Sequence, residues 1–154
     1  GEGEEKNKEK TLIGNIKMMM SHVLPDIVHR AIRLGPDVPL PILGDGNQIR
    51  HYTNGRDIAS SIRAVIESDK AENESFNISS PHGHTVKELA SIVYDELYGV
   101  LDIQFEYCKP FEYDVQIRQP DVEKSRNILG IECNIPLIES VKEVVKWIQN
   151  CNLD

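Results

Sequence analysis

Basic residues are in deficit along this chain: 17 Lys and Arg stand against 25 Asp and Glu, a net charge of −8 over 154 residues. A dedicated nucleic-acid binder needs a basic face for the phosphate backbone, so this balance argues against one. Cysteine is scarce. Cys108, Cys133 and Cys151 are far apart and in no CxxC spacing, and they read as reduced thiols of a cytoplasmic protein. No apolar run approaches the ~18 residues of a membrane span, and no signal-peptide pattern occurs, so no membrane partner is expected. Residues 1–10 hold no hydrophobic side chain at all, only Gly, Asn, Glu and Lys. Such a stretch has nothing to pack with, and residues 1–20 are expected to form a mobile loop or tail. The rest, 21–154, reads as one domain.

With 40% hydrophobic and 27% charged residues the chain has the composition of an ordinary globule. From Ser21 on, apolar residues recur with regular periods. Leu24, Ile27, Val28, Ala31 and Ile32 have helical spacing, Pro25 suits a first turn, and Gly35-Pro36 ends the helix. Val38 to Leu43 reads as a strand turned by Gly44-Asp45-Gly46, and Ile49 to Thr53 as a second. Asp57 has an N-cap's position before a helix carrying Ile58, Ile62, Val65 and Ile66. Phe76 to Ile78 reads as a strand. Thr85 and Glu88 spell a capping box ahead of Val86, Leu89, Ala90, Val93 and Leu97. Ile103 to Tyr107 alternates as a half-buried strand does, and Asp121 and Gly130 bracket a short helix. A last helix after Pro136 turns Ile138, Val141, Val144, Val145 and Ile148 inward. The order predicts an α/β fold with few short strands and several helices.

Catalytic signatures are missing. There is no P-loop, and no GxGxxG joins a strand to a helix. Gly44-Asp45-Gly46 reads as a plain turn. His82-Gly83-His84 has no further ligand at recognised spacing, so no metal is expected. Cys108 beside Lys109 reads as an ordinary strand-end cysteine. The isolated arginines stand out. Arg50 follows a tight turn beside His51 and Tyr52, and Arg118 lies in an irregular stretch before Pro120-Asp121. A planar guanidinium donates two parallel hydrogen bonds and keeps its charge, which suits a diphosphate as well as it suits a surface ion pair.

Four motifs in order then resemble one family. They are His22-Val-Leu-Pro25; Pro39-Leu-Pro-Ile-Leu-Gly-Asp-Gly-Asn-Gln-Ile-Arg-His-Tyr-Thr running into Arg56-Asp57-Ile58-Ala59; Asn77-Ile78 with Thr85-Val-Lys-Glu-Leu-Ala90; and Arg118-Gln-Pro-Asp121 with Leu129-Gly130. Together they resemble the NAD-dependent nucleotide-sugar epimerases and dehydratases of the extended short-chain dehydrogenase/reductase family, from about Ser21 to Ile148.

The resemblance implies the C-terminal, substrate-binding part of such an enzyme, with the Rossmann half absent. That half would carry the glycine fingerprint and the catalytic Tyr-x-x-x-Lys; no tyrosine here has Lys four residues on, so no catalytic residue is expected in this stretch and it should be inactive alone. The cofactor implied is NAD, bound mainly by the N-terminal half. The implied partners are a nucleoside-diphosphate sugar, that Rossmann half, and a second copy in a homodimer of the full enzyme. For the substrate, the resemblance places His22 and Val23 near the diphosphate and nucleoside and Leu43 beside the base, where relatives often have an aromatic ring. Arg50 and Arg118 match the diphosphate arginines, and Asp57 a structural helix cap. The activity implied is 4-epimerisation through transient oxidation at C4. The alternatives are a dehydratase or decarboxylase, or a non-catalytic nucleotide-sugar-binding module.

Overall fold

A computed structural model describes residues 22–110 and 112–150. The expected tail at 1–20 lies outside the described residues. Helix α1 spans Val23–Leu34, with Pro25 buried in its first turn and Gly35, at φ 77°, closing it. Strand β1 follows at Leu40–Leu43 and β2 at Ile49–Arg50. Helix α2 is Gly55–Ile66, a 3₁₀ turn occupies Asp69–Ala71, and β3 is the pair His84–Thr85. Then come α3 (Val86–Tyr98), β4 (Phe105–Cys108), α4 (Glu123–Leu129) and α5 (Leu137–Asn150). The mixed α/β class with few short strands is as expected.

Local chemistry explains most boundaries. Thr85 Oγ1 accepts from the Glu88 amide at 3.1 Å while Glu88 Oε2 accepts from the Thr85 amide at 2.8 Å, so two otherwise orphaned donors at the start of α3 are satisfied. Asp121 Oδ1 accepts from the Glu123 amide at 2.9 Å, and Gly130 in the left-handed region ends α4.

Three expectations need correction. The N-cap of α2 is Asn54, whose side chain accepts from the Arg56 amide at 2.8 Å. Asp57 sits inside the helix, buried, and its Oδ2 accepts from the Ile135 amide at 2.9 Å instead. Phe76 to Ile78 is irregular; the strand of that region is β3, whose two residues are too few to show a period. On α5 it is Leu137 rather than Ile138 that is buried, because Leu137 lies four residues before Val141 and so continues the stripe of Val141, Val145 and Ile148, leaving Ile138 half-buried.

The core lies where α1, α3 and α5 meet one face of β1. Ile27, Val28 and Ala31 of α1 interlock with Leu89, Ala90, Val93 and Tyr94 of α3 and with Val141, Val145 and Ile148 of α5. Each Val, Leu or Ile among them contributes roughly 1.5–3 kcal/mol when fully buried. β1 pairs in parallel with β4, in the register Leu40↔Phe105 through Leu43↔Cys108. β2 pairs antiparallel with β3. Parallel pairing of β1 with a strand over sixty residues later forces the intervening chain across one end of the core. That crossing brings β2, β3 and the start of α3 beside the C-terminal end of β1. Among the described residues no helix is long and apolar enough to cross a membrane.

Candidate functional site

The site grows from the two ends of α1 and β1. His22, extended at φ −102° and ψ 148°, is the N-cap of α1, and its side chain makes no cap bond. Among the described residues the first amides of the helix, those of Val23 and Leu24, have no side-chain capping oxygen, and they lie next to an exposed Val23 side chain. Leu43 ends β1 and is 43% exposed. Its carbonyl accepts from Gln48 Nε2 at 3.2 Å, which folds the Gly44–Asn47 turn back toward β2. In that turn Asp45 accepts from the amide and side chain of Asn47, at 3.0 Å each, and these bonds hold its carboxyl below the usual range.

Ile49 is the hinge of the arrangement. On one side it pairs with Thr85, and on the other it forms a parallel bridge with Ile117. Its amide donates to Gln116 O at 2.8 Å, and its carbonyl accepts from the Arg118 amide at 3.2 Å. One position further on each strand stand Arg50 and Arg118. Residues level with each other on neighbouring strands lie about 5 Å apart, so tertiary pairing makes lateral neighbours of two arginines far apart in sequence.

The two differ in state. Arg118 is exposed. Arg50 is largely buried, and its guanidinium is engaged: Nη1 donates to Ile49 O at 2.8 Å and Nη2 to Asp114 Oδ1 at 2.9 Å, with both side chains of that ion pair about one-fifth exposed. Next to it the Tyr52 hydroxyl is buried without a partner among the described residues, and burial pushes its pKa up to about 12 against the opposing pull of Arg50.

Val23, Leu43 and Arg50 line one cavity of about 230 Å³, together with Asp26, Arg30, Ile42, Gln48, Val86 and Asp114. His22 and Arg118 are outside its walls. Gln48 and Asp114 also line a wider hollow of about 650 Å³ with Lys87, Tyr107 and Cys108, where Lys87 Nζ lies 5.1 Å from the Tyr107 ring centre. A third hollow, about 680 Å³, lies between the Ser80–His84 loop and Asn134–Ile138 and includes none of the predicted residues. Size does not select among them. Of these three, the 230 Å³ cavity gathers a helix start, a strand-end apolar contact and a guanidinium.

Asp26, Arg30, Gln48 and Asp114 are wall residues that the sequence reading did not single out. Asp26 and Arg30 carried a signal, an acid and a base four apart on a helix. Asp114 carried none, since it lies in an irregular loop.

No glycine fingerprint joins a strand to a helix in the sequence, and among the described residues the start of α3, the helix nearest the turn of glycines, is closed by its own capping box.

A family model described as the NAD dependent epimerase/dehydratase family matches residues 11–79. Among curated proteins, UDP-glucuronic acid decarboxylase 2 of Arabidopsis thaliana is 28% identical over 80% of this chain and 26% of its own length. A putative UDP-glucose 4-epimerase of Methanocaldococcus jannaschii is 34% identical over 72% of this chain and 34% of its own. Among solved structures, UDP-glucose 4-epimerase of Thermotoga maritima with UDP-glucose has a TM-score of 0.71 and 28% identity, covering 83% of this chain and 39% of that one. The family recognised in the four motifs is thus the family these comparisons return, nucleotide-sugar epimerases, dehydratases and decarboxylases. The chain spans about a quarter to two fifths of the length of the curated relatives it matches.

Proposed function

We propose that this chain is the substrate-holding part of an NAD-dependent nucleotide-sugar enzyme, and that it grips a nucleoside diphosphate between Arg50, Arg118 and the start of α1. The observation that carries the reading is the Ile49–Ile117 bridge, which puts Arg118 level with Arg50, a residue of the cavity that Val23 and Leu43 line. The reaction proposed is 4-epimerisation. A second reading, decarboxylation, is favoured by the several UDP-glucuronic acid decarboxylases among the relatives.

In either reaction these residues are not acid–base groups. Their part is orientation: remote binding energy spent on the diphosphate holds the sugar in one pose, which lowers the entropic cost of the chemical step. Arg50 is already balanced by Asp114, so the ligand exchanges one anion for another, and the desolvated guanidinium is never left bare. The amides of Val23 and Leu24 add donors at the positive end of a helix. Leu43 supplies apolar contact to the base without ring stacking.

NAD and the catalytic Tyr-x-x-x-Lys belong, in this proposal, to a Rossmann half that packs on this portion. Helix α2 supports that partner. Its apolar residues Ile62 and Ile66 are 49% and 78% exposed, and the residues it buries are Asp57 and Ser61. An amphipathic helix with its apolar stripe in water is built to be covered. A homodimer of the whole enzyme is part of the same proposal.

The test is equilibrium binding of UDP, uridine and pyrophosphate by the chain and by Arg50→Ala, Arg118→Ala and the double variant. A charge-assisted bond contributes about 1.5–3 kcal/mol, so each single change should weaken UDP roughly ten- to a hundredfold, non-additively, and uridine hardly at all. Equal losses for uridine and UDP, or no losses, would refute the clamp.

A further inference from the structure

Asp26 and Arg30 stand one turn apart on α1 and line the same cavity as Leu43 and Arg50, yet the diphosphate clamp uses neither. Arg30 Nη2 donates to Asp26 Oδ2, and Nη1 donates to the carbonyl of Pro41, two residues before Leu43 on β1. The guanidinium is thereby held against the strand that carries the base contact. Its Nε is fully buried with no partner among the described residues, while the side chain as a whole is 35% exposed. Arg30 lines the cavity, and on each Nη one N–H is left over from the two bonds just named. Asp26 is 41% exposed, and its Oδ1 accepts no hydrogen bond among the described residues. The pair thus offers the cavity a charged acceptor beside charged donors, fixed to each other and to β1.

We propose that Asp26 and Arg30 read the edge of the substrate's base and select a lactam edge, a ring N–H beside a carbonyl as in uracil, over the amino-pyrimidine edge of cytosine. The inference rests on the function proposed above, which seats the nucleoside between Val23 and Leu43. Asp26 Oδ1 accepts the ring N–H. The neighbouring carbonyl oxygen, with two lone pairs, takes both remaining Nη protons of Arg30. Cytosine has no ring N–H at that place: in the same pose its ring lone pair faces the carboxylate, and shifted so that its amino group donates to Asp26 its ring nitrogen offers one lone pair to two N–H donors and loses a bond. An ordinary i,i+4 surface pair would do none of this; it would add a little helix stability and nothing else.

Binding of UDP, CDP and pyrophosphate to the full chain separates the two. The unaltered chain should prefer UDP to CDP. Asp26→Asn, which keeps the shape, and Arg30→Lys, which keeps the charge, should each weaken UDP about tenfold, reduce CDP far less and leave pyrophosphate unchanged. Thermal melting of each variant checks that the fold is intact. An unaltered UDP-to-CDP ratio in both variants overturns the inference, and so does a parallel loss for all three ligands or an unaltered chain without preference. The clamp is judged separately, by whether Arg50→Ala weakens pyrophosphate. A ratio that collapses in Asp26→Asn while Arg50→Ala leaves pyrophosphate unaffected would uphold base reading and sink the clamp.

Discussion

Replacing Asp114 by Asn should tighten the grip of this chain on a diphosphate. Asp114, 2.9 Å from Arg50 Nη2 and with both side chains about four-fifths buried, holds the position that the proposed clamp gives to an incoming anion. Asparagine keeps the shape and one acceptor but removes the charge. A bond to a charged acceptor contributes about 1.5–3 kcal/mol and a neutral one about 0.5–1.5, so the internal competitor weakens by about 1 kcal/mol. Loss of a negative charge beside the bound phosphates acts in the same direction. Partial exposure tempers both effects, and the expected gain is about fivefold in affinity for pyrophosphate and UDP. Raising salt should shrink the gain, because screening lengths fall to about 10 Å at 0.1 M. The same substitution removes an ion pair from the unliganded fold, so the melting temperature should fall while affinity rises. Calorimetric titration at two ionic strengths, with Arg50→Ala/Asp114→Asn as the control, makes the measurement. The gain must vanish when Arg50 is absent. Unchanged or weaker binding by Asp114→Asn would show that the carboxylate does not hold the anion seat, and the exchange of anions at Arg50 would be wrong.

Other outcomes follow from the packing. Gly46 stands at φ 71°, and an added Cβ would lie 2.6 Å from Ile42 Cδ1 and 2.9 Å from Lys87 Cγ, so Gly46→Ala should cost about 2–4 kcal/mol in a denaturant melt. Tyr94 is 1% exposed, and its hydroxyl has no partner among the described residues; Tyr94→Phe should stabilise the fold by about 1 kcal/mol, read as a higher melting temperature. Burial raises Tyr52 from 10 to about 12, so above pH 10 the unfolded chain gives up this proton first. The contribution of Tyr52 is complete below pH 10 and is lost as pH climbs to about 12, and Tyr52→Phe should flatten that part of the stability profile.

Helices and their ends were legible in the sequence because their causes are local. The stripe of Leu89, Ala90 and Val93, the box of Thr85 and Glu88, and the stops at Gly35 and Gly130 each act within a few residues, and all appear in the structure. The family resemblance was legible for the same reason, since its motifs are contiguous runs. Local rules failed where a neighbour far along the chain decides. Asp57 looked like a cap, but the amide of Ile135 claims its carboxylate and Asn54 does the capping. Phe76 to Ile78 has the side chains of a strand without a partner strand, whereas His84 and Thr85 are a strand only because β2 lies opposite. The candidate site is the extreme case. Arg50 and Arg118 were named from motifs, but their adjacency comes from the Ile49–Ile117 bridge, and Asp114 and the Asp26–Arg30 pair become wall residues only when α1, β1 and the later loop close on one cavity. Periodicity records which side of an element faces the core. It carries no record of which distant loop delivers a charge to that element's end, because that depends on backbone pairing that forms only in the folded chain.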